Sequence, residues 1–245
     1  MIAEQVAVVT GSSSGIGAAV ATRLAAEGLK VVVNSAHSVE AGRRLAASLP
    51  DAVYVQADVS DEQQARQLVD AAVERYGRLD VLVNNAGTTR VIPHQDLDAA
   101  TPKVWQEILS LNVLGTWQMS AAAAPHLATS GAGNIVNVSS VAGSRPVGSS
   151  IPYAVSKAAI DHMTRLLAVA LGPSVRVNAV APALTETPWT QDDPFFRKIA
   201  DRVRESTPLR RVGTADDVAG AVLAILCLPH LTGAVVPVDG GAALV

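Results

Sequence analysis

The 245-residue sequence has little charge, few aromatic residues and one cysteine. Charged residues make up 17% of the chain, below the quarter that is usual in globular domains, and aromatic residues make up 3%. A lone cysteine excludes an internal disulfide, and the apolar run 221–228 around Cys227 predicts that this thiol packs in the core. The shortage of charge predicts that much of the chain is buried, in part against other subunits.

The sequence also lacks runs of basic residues and long apolar runs. Its net charge is -3, so nothing indicates a nucleic-acid partner. No apolar stretch approaches the roughly 18 residues that span a bilayer, and Glu4 followed by a glycine-rich turn is not typical of a signal peptide. We therefore expect a cytoplasmic protein with no membrane partner. No metal site is predicted.

Short β-branched runs alternate with longer helical patterns. Strands are predicted at 6–10, 31–33, 52–56, 81–83, 135–138, 175–180 and 234–238. Helices are predicted near 16–28, 38–48, 61–76, 101–128, 153–171 and 214–228, the last with Asp217 in a capping-box position. Continuous apolar strands are typical of a parallel sheet covered on both faces. The pattern predicts an α/β fold, a Rossmann-type doubly wound sheet of seven mainly parallel strands, in a single domain over 1–245.

The region between residues 182 and 211 has the least regular pattern. After Pro182 it contains three further prolines and both phenylalanines of the chain, namely Pro188, Pro194, Pro208, Phe195 and Phe196. A long insertion inside a compact domain is usually functional, often as a lid. We therefore predict a substrate lid at about 184–211.

A glycine-rich turn follows the first predicted strand. Its spacing from Gly11 to Gly17 is G-x-x-x-G-x-G. Glycines permit a tight turn that a pyrophosphate can approach, and the next helix offers free N–H groups to that anion. The pattern favours a dinucleotide-binding loop over an ordinary strand-to-helix turn. The residues predicted to bind are Gly11, Ser13, Ser14, Gly15, Ile16 and Gly17.

The segment after the second strand bears on the choice between NADP and NAD. An acidic residue there often holds the ribose diol of NAD, but Ser35 occupies the expected position. Without a carboxylate, a 2′-phosphate would not be repelled, so the sequence favours NADP, although no arginine or lysine lies nearby. The predicted contacts of the 2′-phosphate are Asn34, Ser35, His37 and Ser38. After the third strand, Asp58 and Val59 are candidates for contact with adenine, with a helix cap as the alternative role of Asp58.

Tyr153 and Lys157 lie four residues apart in a predicted helix, so both project from the same face. An isolated tyrosine has a pKa of about 10. A lysine cation held close favours the phenolate and would lower that pKa. A tyrosine tuned in this way can exchange a proton with an alcohol or carbonyl oxygen. The spacing also occurs by chance in many helices, so alone it is a weak signal.

Four motifs now fall at the strand ends that this fold requires. They are the glycine loop, Asn84-Asn85-Ala86-Gly87 after the fourth strand, Ser140, and Tyr153 with Lys157. Together they resemble the short-chain dehydrogenase/reductase family, over residues 6–241, and among its members the 3-oxoacyl-carrier-protein reductases. The resemblance implies an NAD(P)-dependent oxidoreductase that transfers a hydride between a nicotinamide cofactor and a carbonyl or secondary alcohol.

The resemblance also implies roles for individual residues. Ser140 would bind the substrate oxygen, and Tyr153 would be the general acid in reduction and the base in oxidation. Lys157 would lower the pKa of Tyr153 and hold the nicotinamide ribose, while Asn112 would anchor a water that links the lysine to solvent. Ala183 stands where the family has glycine, which puts a left-handed conformation there in doubt. The other cofactor contacts implied are Asn85, Ala86, Gly87, Pro182, Thr185 and Thr187.

The substrate remains open between a 3-oxoacyl thioester and a steroid, a sugar or a small ketone. Trp189 and the two phenylalanines predict an apolar lining. Charged groups that would meet a carboxylate or phosphate, unless they are solvated loop charges, are Arg90, His94 and Arg145. A catalytically silent dinucleotide sensor is an alternative from another class, and epimerisation or dehydration is a third. The apolar tail 242–245 predicts a homo-oligomer, a tetramer or a dimer.

Overall fold

The structure, a computed structural model, describes residues 4–191 and 194–245. The strands within these ranges are β1 (Val6–Val9), β2 (Lys30–Ser35), β3 (Ala52–Gln56), β4 (Val81–Asn84), β5 (Gly133–Val138), β6 (Val175–Pro182), β7 (Thr185–Glu186), β8 (Gly213–Thr214) and β9 (Val235–Val238). Seven of these described strands form one sheet in the order β3-β2-β1-β4-β5-β6-β9, and every pair in it is parallel. The predicted doubly wound α/β fold is confirmed.

Helices cover both faces of this sheet. They are α1 (Gly15–Ala26), α2 (Val39–Ser48), α3 (Glu62–Tyr76), α4 (Pro102–Leu109), α5 (Thr116–Thr129), α6 (Ile151–Leu171), α7 (Pro188–Gln191), α8 (Pro194–Ser206) and α9 (Ala215–Leu226). Side chains of α1 and α9 join one core cluster, and those of α3, α5 and α6 join the other. Asp217 and the Thr214 side chain form the predicted capping box at the start of α9.

The strands are apolar along their whole length because alternate residues pack into different core clusters, one on each face of the sheet. In β1, Val6 and Val8 pack into the cluster with α3 and α5, whereas Ala7 and Val9 pack into the cluster with α1 and α9. All four side chains are fully buried. A strand covered on both faces has no solvent side, so its sequence shows no alternation between apolar and polar residues.

The helix predicted near 101–128 is divided. A π-helical segment at Ser110–Gly115 separates α4 from α5, and it contains the fully buried Asn112. π-Helical turns inside helices occur frequently at functional sites. The helix predicted near 153–171 begins earlier, at Ile151, because the buried Ser150 caps it by accepting a hydrogen bond from the backbone N–H of Tyr153 at 3.3 Å.

Two sequence-based predictions are wrong. Cys227 is exposed rather than packed in the core. It follows Leu226, the last residue of α9, and one position along a helix turns a side chain by about 100°, away from the core that Leu226 contacts. The region 182–211 is also less irregular than predicted, because residues 194–206 form α8 and β7 pairs with β8 at the base of the predicted lid. Residues 192–193 of this lid lie outside the described residues.

None of the helices in the described ranges has both the length and the apolar character that crossing a membrane requires.

Candidate active site

A cleft opens at the carboxyl ends of the central strands. Its volume is about 1530 Å³, and it is lined by the residues that follow β1, β4 and β5 and by the end of β6. The chain leaves β1 toward β2 on one side, while β4 lies on the other side of β1. In open α/β sheets ligands bind where the strand order reverses in this way.

The three glycines of the first turn serve two purposes. Gly11 and Gly15 have φ of +61° and +55°, a left-handed conformation that other residues avoid. At Gly17 a Cβ would lie 2.6 Å from the carbonyl oxygen of Gly11, so this glycine allows α1 to pack closely against the turn. Ser14, the N-cap residue before α1, lines the cleft, and its side chain forms no capping hydrogen bond in the described structure. The first turn of α1 is therefore suited to bind an anion.

Most residues predicted to bind the cofactor line the cleft. They are Gly11, Ser14, Gly15, Ile16, Asn34, Ser35, His37, Ser38, Asp58, Val59, Asn85, Ala86, Gly87, Tyr153, Lys157, Pro182, Thr185 and Thr187. Ser13 and Gly17 do not belong to the lining of this cleft. The sequence analysis missed the neighbouring Ser12, which is fully buried, donates to the carbonyl oxygen of Val9 at 2.7 Å and accepts from the backbone N–H of Asn34 at 2.9 Å.

The Asn34 side-chain amide forms its hydrogen bonds with other parts of the protein. Its Nδ2 donates to the carbonyl oxygens of Val55 and Ala57 at 3.2 and 3.0 Å, and its Oδ1 accepts from the backbone N–H of Gly11 at 3.2 Å. The prediction that this amide donates to a 2′-phosphate therefore does not fit the structure. Ser35 is buried, and its Oγ lies 2.9 Å from the Tyr54 hydroxyl oxygen.

Asn85 holds the other side of the glycine turn. Its Nδ2 donates to the carbonyl oxygens of Thr10 and Gly11 at 2.9 and 3.1 Å. The backbone N–H groups of Asn85 and Ala86 both donate to the Thr10 hydroxyl, at 2.9 and 3.0 Å. A Cβ at Gly11 would lie 2.9 Å from the Cα of Ala86. The loops after β1 and β4 are thus in direct contact.

Asp58 forms a local turn after β3. Its Oδ1 accepts from the backbone N–H of Ser60 at 2.9 Å and from the Ser60 hydroxyl at 2.7 Å. The cap of α3 is Asp61 instead, so the alternative role of Asp58 as the cap of that helix is wrong. Val59 is buried beside it.

Ser140, Tyr153 and Lys157 lie together on the cleft wall. The Lys157 Nζ donates to the carbonyl oxygen of Val138 at 2.8 Å and lies 5.6 Å from the centroid of the Tyr153 ring. The Ser140 Oγ accepts from the backbone N–H of Ala142 at 3.2 Å. β5 and the first turns of α6 therefore bring these three side chains to one place.

Burial controls the protonation of this group. It raises the pKa of Tyr153 to about 12, an effect that a hydrogen bond with Ser140 opposes. Burial also lowers the pKa of Lys157 to about 8, which the charge of Asp161 opposes. The sequence predicts a lowered pKa for Tyr153, but in this structure the net shift has the opposite direction, because desolvation of the phenol dominates. Tyr153 is protonated at neutral pH, which is the state that a general acid requires.

Asn112 connects α6 with the loop after β4. Its Nδ2 donates to the carbonyl oxygen of Thr88 at 3.0 Å and to the Ser156 Oγ at 2.9 Å, and its Oδ1 accepts from the backbone N–H of Thr88 at 2.8 Å. The Ser156 Oγ in turn donates to the carbonyl oxygen of Tyr153 at 2.7 Å. Asn112 therefore fixes the backbone that carries Tyr153. The sequence analysis missed Ser156.

The end of β6 and the base of the predicted lid form another wall of the cleft. Ala183 does not adopt the left-handed conformation. Among the described non-glycine residues, those with positive φ are Glu4 and Arg210. Glycine is therefore not required at position 183. Thr187 is buried, and its Cβ and methyl group would each lie 3.4 Å from a Cβ at Gly15, so the lid base packs against the glycine turn.

The three cleft residues that could meet an anionic substrate differ in their contacts. Arg90 forms an ion pair with Glu107 at 2.6 Å. Arg145 donates to the carbonyl oxygens of Ala242 and Val245, so the tail 242–245 packs on the cleft wall of its own chain. The His94 Nε2 is one of the few buried side-chain atoms without a hydrogen-bond partner among the described residues.

Comparison with known proteins identifies the chain's relatives. A family model described as "Enoyl-(Acyl carrier protein) reductase" matches residues 11–243. "Granaticin polyketide synthase putative ketoacyl reductase 2" of Streptomyces violaceoruber is 68% identical over 98% of this chain and 96% of its own. "3-oxoacyl-[acyl-carrier-protein] reductase FabG" of Thermotoga maritima is 35% identical over 97% of both chains.

Solved structures agree with these relatives. "A putative short-chain dehydrogenase/reductase from Burkholderia xenovorans" superposes with a TM-score of 0.91 at 35% identity, over 99% of both chains. The chain is an NAD(P)-dependent oxidoreductase that acts on carbonyl and alcohol groups, and these relatives give no support to the catalytically silent sensor. The sequence, the cleft and these matches lead to one conclusion: the chain belongs to the short-chain dehydrogenase/reductase family.

Proposed function

We propose that this enzyme reduces the keto group of a 3-oxoacyl thioester with NADPH. The observation that carries this proposal is the size and lining of the cleft. At about 1530 Å³ it exceeds the 300–1,000 Å³ of a typical pocket for one small ligand, so it suits a dinucleotide together with an extended substrate. The names of the relatives from Streptomyces violaceoruber and Thermotoga maritima support the same substrate class.

The lid side of the cleft favours an acyl chain over a sugar. Three apolar residues of α8, Phe196, Ile199 and Val203, follow helical spacing and line the cleft, although the helix buries none of its residues in the core. Trp189 packs edge-to-face on Tyr153, with 6.4 Å between the ring centroids. We infer that residues 184–211 act as a lid that covers the substrate chain.

The residues around the glycine turn fit the dinucleotide that the family uses. The left-handed glycines and the uncapped start of α1 would hold the pyrophosphate, and Asn85, Ala86 and Gly87 would line the path of the ribose. Lys157 would hold the nicotinamide ribose, and Pro182, Thr185 and Thr187 would lie beside the nicotinamide. When bound, the cofactor supplies the hydride.

The residues of the chain would supply the one proton that the reduction needs and stabilise the charges that form. The Ser140 hydroxyl would donate a hydrogen bond to the substrate oxygen and stabilise the negative charge that develops on it. Tyr153, protonated at neutral pH, would give its proton to that oxygen. The Lys157 ammonium would stabilise the phenolate left behind. Asn112 would keep the first turns of α6 in place through Ser156.

A paired screen of substrates and cofactors tests the proposal. Purified enzyme is incubated with NADPH or NADH and with 3-oxoacyl thioesters, an enoyl thioester, cyclic ketones and aldoses, and the absorbance of the reduced cofactor is followed. We expect kcat/KM for the 3-oxoacyl thioesters to be at least about tenfold above that for every other class. A higher value for a sugar, a cyclic ketone or the enoyl thioester would reject the proposed substrate.

Tyr153→Phe tests the proton donor. This change removes the hydroxyl and keeps the ring, so we expect turnover to fall at least about 10³-fold, in the range of general acid catalysis, while the Kd for NADPH changes less than about threefold. Tyr76→Phe is the matched control, because the Tyr76 hydroxyl donates to Asp51 and does not line the cleft. Substantial reductase activity in the Tyr153 variant would disprove the mechanism.

Ser35→Asp tests the preference for NADPH. Position 35 lies at the end of β2 on the cleft, and a carboxylate there would repel a 2′-phosphate and accept from a ribose diol. We expect the Kd for NADPH, measured by cofactor fluorescence, to rise about tenfold or more, while that for NADH stays the same or falls. Ser35→Asn, which adds the size without the charge, is the control. Equal losses for both cofactors would contradict the assignment.

We also propose that the enzyme is a homo-oligomer. Large apolar side chains are exposed on the adjacent helices α5 and α6, with Trp117 50%, Leu166 59% and Val169 84% exposed. Such a patch is typical of an interface. Light scattering should give a mass of two or four chains, and Val169→Asp should reduce it, whereas Leu97→Asp, on an exposed loop elsewhere, should not. A monomeric wild-type protein would refute the proposal.

A further inference from the structure

Asp161 is a buried carboxylate beside the active site to which the mechanism above gives no role. It lies one turn after Lys157 on α6 and is 5% exposed. Burying a charged group costs free energy unless the group is paired and hydrogen-bonded. The partners of Asp161 therefore indicate what it does.

The first partner is Ser139, the residue before Ser140. The Ser139 Oγ donates to the Asp161 Oδ1 at 2.5 Å and lies 3.3 Å from the carbonyl oxygen of Lys157. The backbone N–H of Ser139 donates to the carbonyl oxygen of Val180 in β6 at 2.8 Å. Because Ser139 is held from both sides, the direction in which the chain presents Ser140 is fixed.

The turn that follows Ser140 packs against the same carboxylate. A Cβ at Gly143 would lie 2.7 Å from the Asp161 Oδ2 and 2.9 Å from the backbone carbonyl of Lys157. The carboxylate is therefore enclosed between α6, the end of β5 and this turn, and it cannot swing away to solvent. The Asp161 Oδ2 and the backbone carbonyl of Lys157 therefore both lie next to Gly143.

The charged groups that face Asp161 are Lys157 and Arg165, both on α6. The Arg165 Nη1 donates to the main-chain carbonyl oxygen of Asp161 at 3.2 Å. From the segment that follows β5, the Ser139 hydroxyl donates to the Asp161 carboxylate. Burial lowers the pKa of Lys157 to about 8, and the negative charge of Asp161 opposes this change. Since Lys157 is buried, that charge is less screened than it would be in water.

We propose that Asp161 is a positioning residue for the reduction, which fixes Ser140 through Ser139 and keeps the Lys157 ammonium protonated. The kinetic half of the test rests on the proposed function, because it needs a reducible substrate. The protonation half does not, because the Lys157 ammonium can be observed without substrate.

The pH profile of kcat is the first test. As the pH rises through the pKa of Lys157, the ammonium is lost, so reduction by the wild-type enzyme should decline above about pH 8. Asp161→Asn keeps the size of the side chain and removes its charge. We expect kcat at pH 8 to fall about two- to fivefold and the alkaline decline to move down by about 0.5–1 pH unit, while the KM for NADPH changes less than about twofold.

Two further variants separate the two effects. Ser139→Ala keeps the carboxylate and removes its hydrogen bond, so kcat should fall without a shift of the alkaline decline. Asp80→Asn is the matched control for losing a buried carboxylate, since Asp80 is fully buried at the amino end of β4, away from the cleft, and pairs with Arg78 at 2.6 Å. It should lower the melting temperature and leave the pH profile unchanged. A wild-type kcat and pH profile in folded Asp161→Asn would overturn the proposal.

A substrate-free measurement completes the test. The chain has four lysines, Lys30, Lys103, Lys157 and Lys198, so the side-chain nitrogens can be resolved by NMR after ¹⁵N-lysine labelling, with Lys157→Arg giving the assignment. Lys157 should titrate at a lower pH in Asp161→Asn than in the wild type, and an unchanged titration would overturn the role of the charge. If Asp161→Asn does not fold, a wild-type kcat in Ser139→Ala overturns the positioning role. A wild type that reduces no carbonyl compound would reject the proposed function, while the titration would still decide the role of Asp161.

Discussion

The hydrogen bonds of two asparagine side chains around the glycine turn hold the cleft in shape. Asn34 links the turn to the end of β3, and Asn85 links it to the loop after β4. Leaving a buried amide or carbonyl without its partner costs about 1–3 kcal/mol. The left-handed conformation of Gly11, whose N–H and carbonyl oxygen both take part in these hydrogen bonds, depends on them, because a free turn would sample many others. The open start of α1 and the cleft floor follow from this arrangement.

A chain of polar contacts connects the glycine turn and the loop after β4 with α6, the helix that carries Tyr153 and Lys157. The loop after β4 continues to Thr88, which Asn112 holds by both its backbone groups, and Asn112 also contacts Ser156 one turn from Tyr153. The π-helical segment carries Asn112 into this position. The cofactor side and the substrate side of the cleft are therefore built on one connected set of hydrogen bonds. The Asp161 carboxylate similarly connects α6 with the segment after β5, by accepting a hydrogen bond from the Ser139 hydroxyl.

The sheet and most cleft-lining residues could be predicted from the sequence because their signals are local. A glycine spacing or a continuous apolar run needs few neighbours to be interpreted. The π-helical segment could not be predicted, since its hydrogen bonds join Asn112 to residues 24 and 44 positions away. Neither could the direction of the Tyr153 pKa, which burial by distant segments sets. Asn34 was misassigned for the same reason, because its partners lie on the neighbouring strand and the glycine turn.

The predicted lid is joined to the rest of the molecule at its base by the short two-residue ladder between β7 and β8. Two residue pairs, Thr185 with Gly213 and Glu186 with Thr214, join the chain on either side of α8, and the Glu186–Arg204 ion pair at 3.1 Å is exposed. A segment with few buried contacts opens at a small fraction of the free energy of global unfolding. Local opening of α8 therefore need not disturb the seven-stranded sheet of the described chain. In the proposed reduction, such opening would admit a long acyl substrate while the residues at the ends of the central strands stay in place.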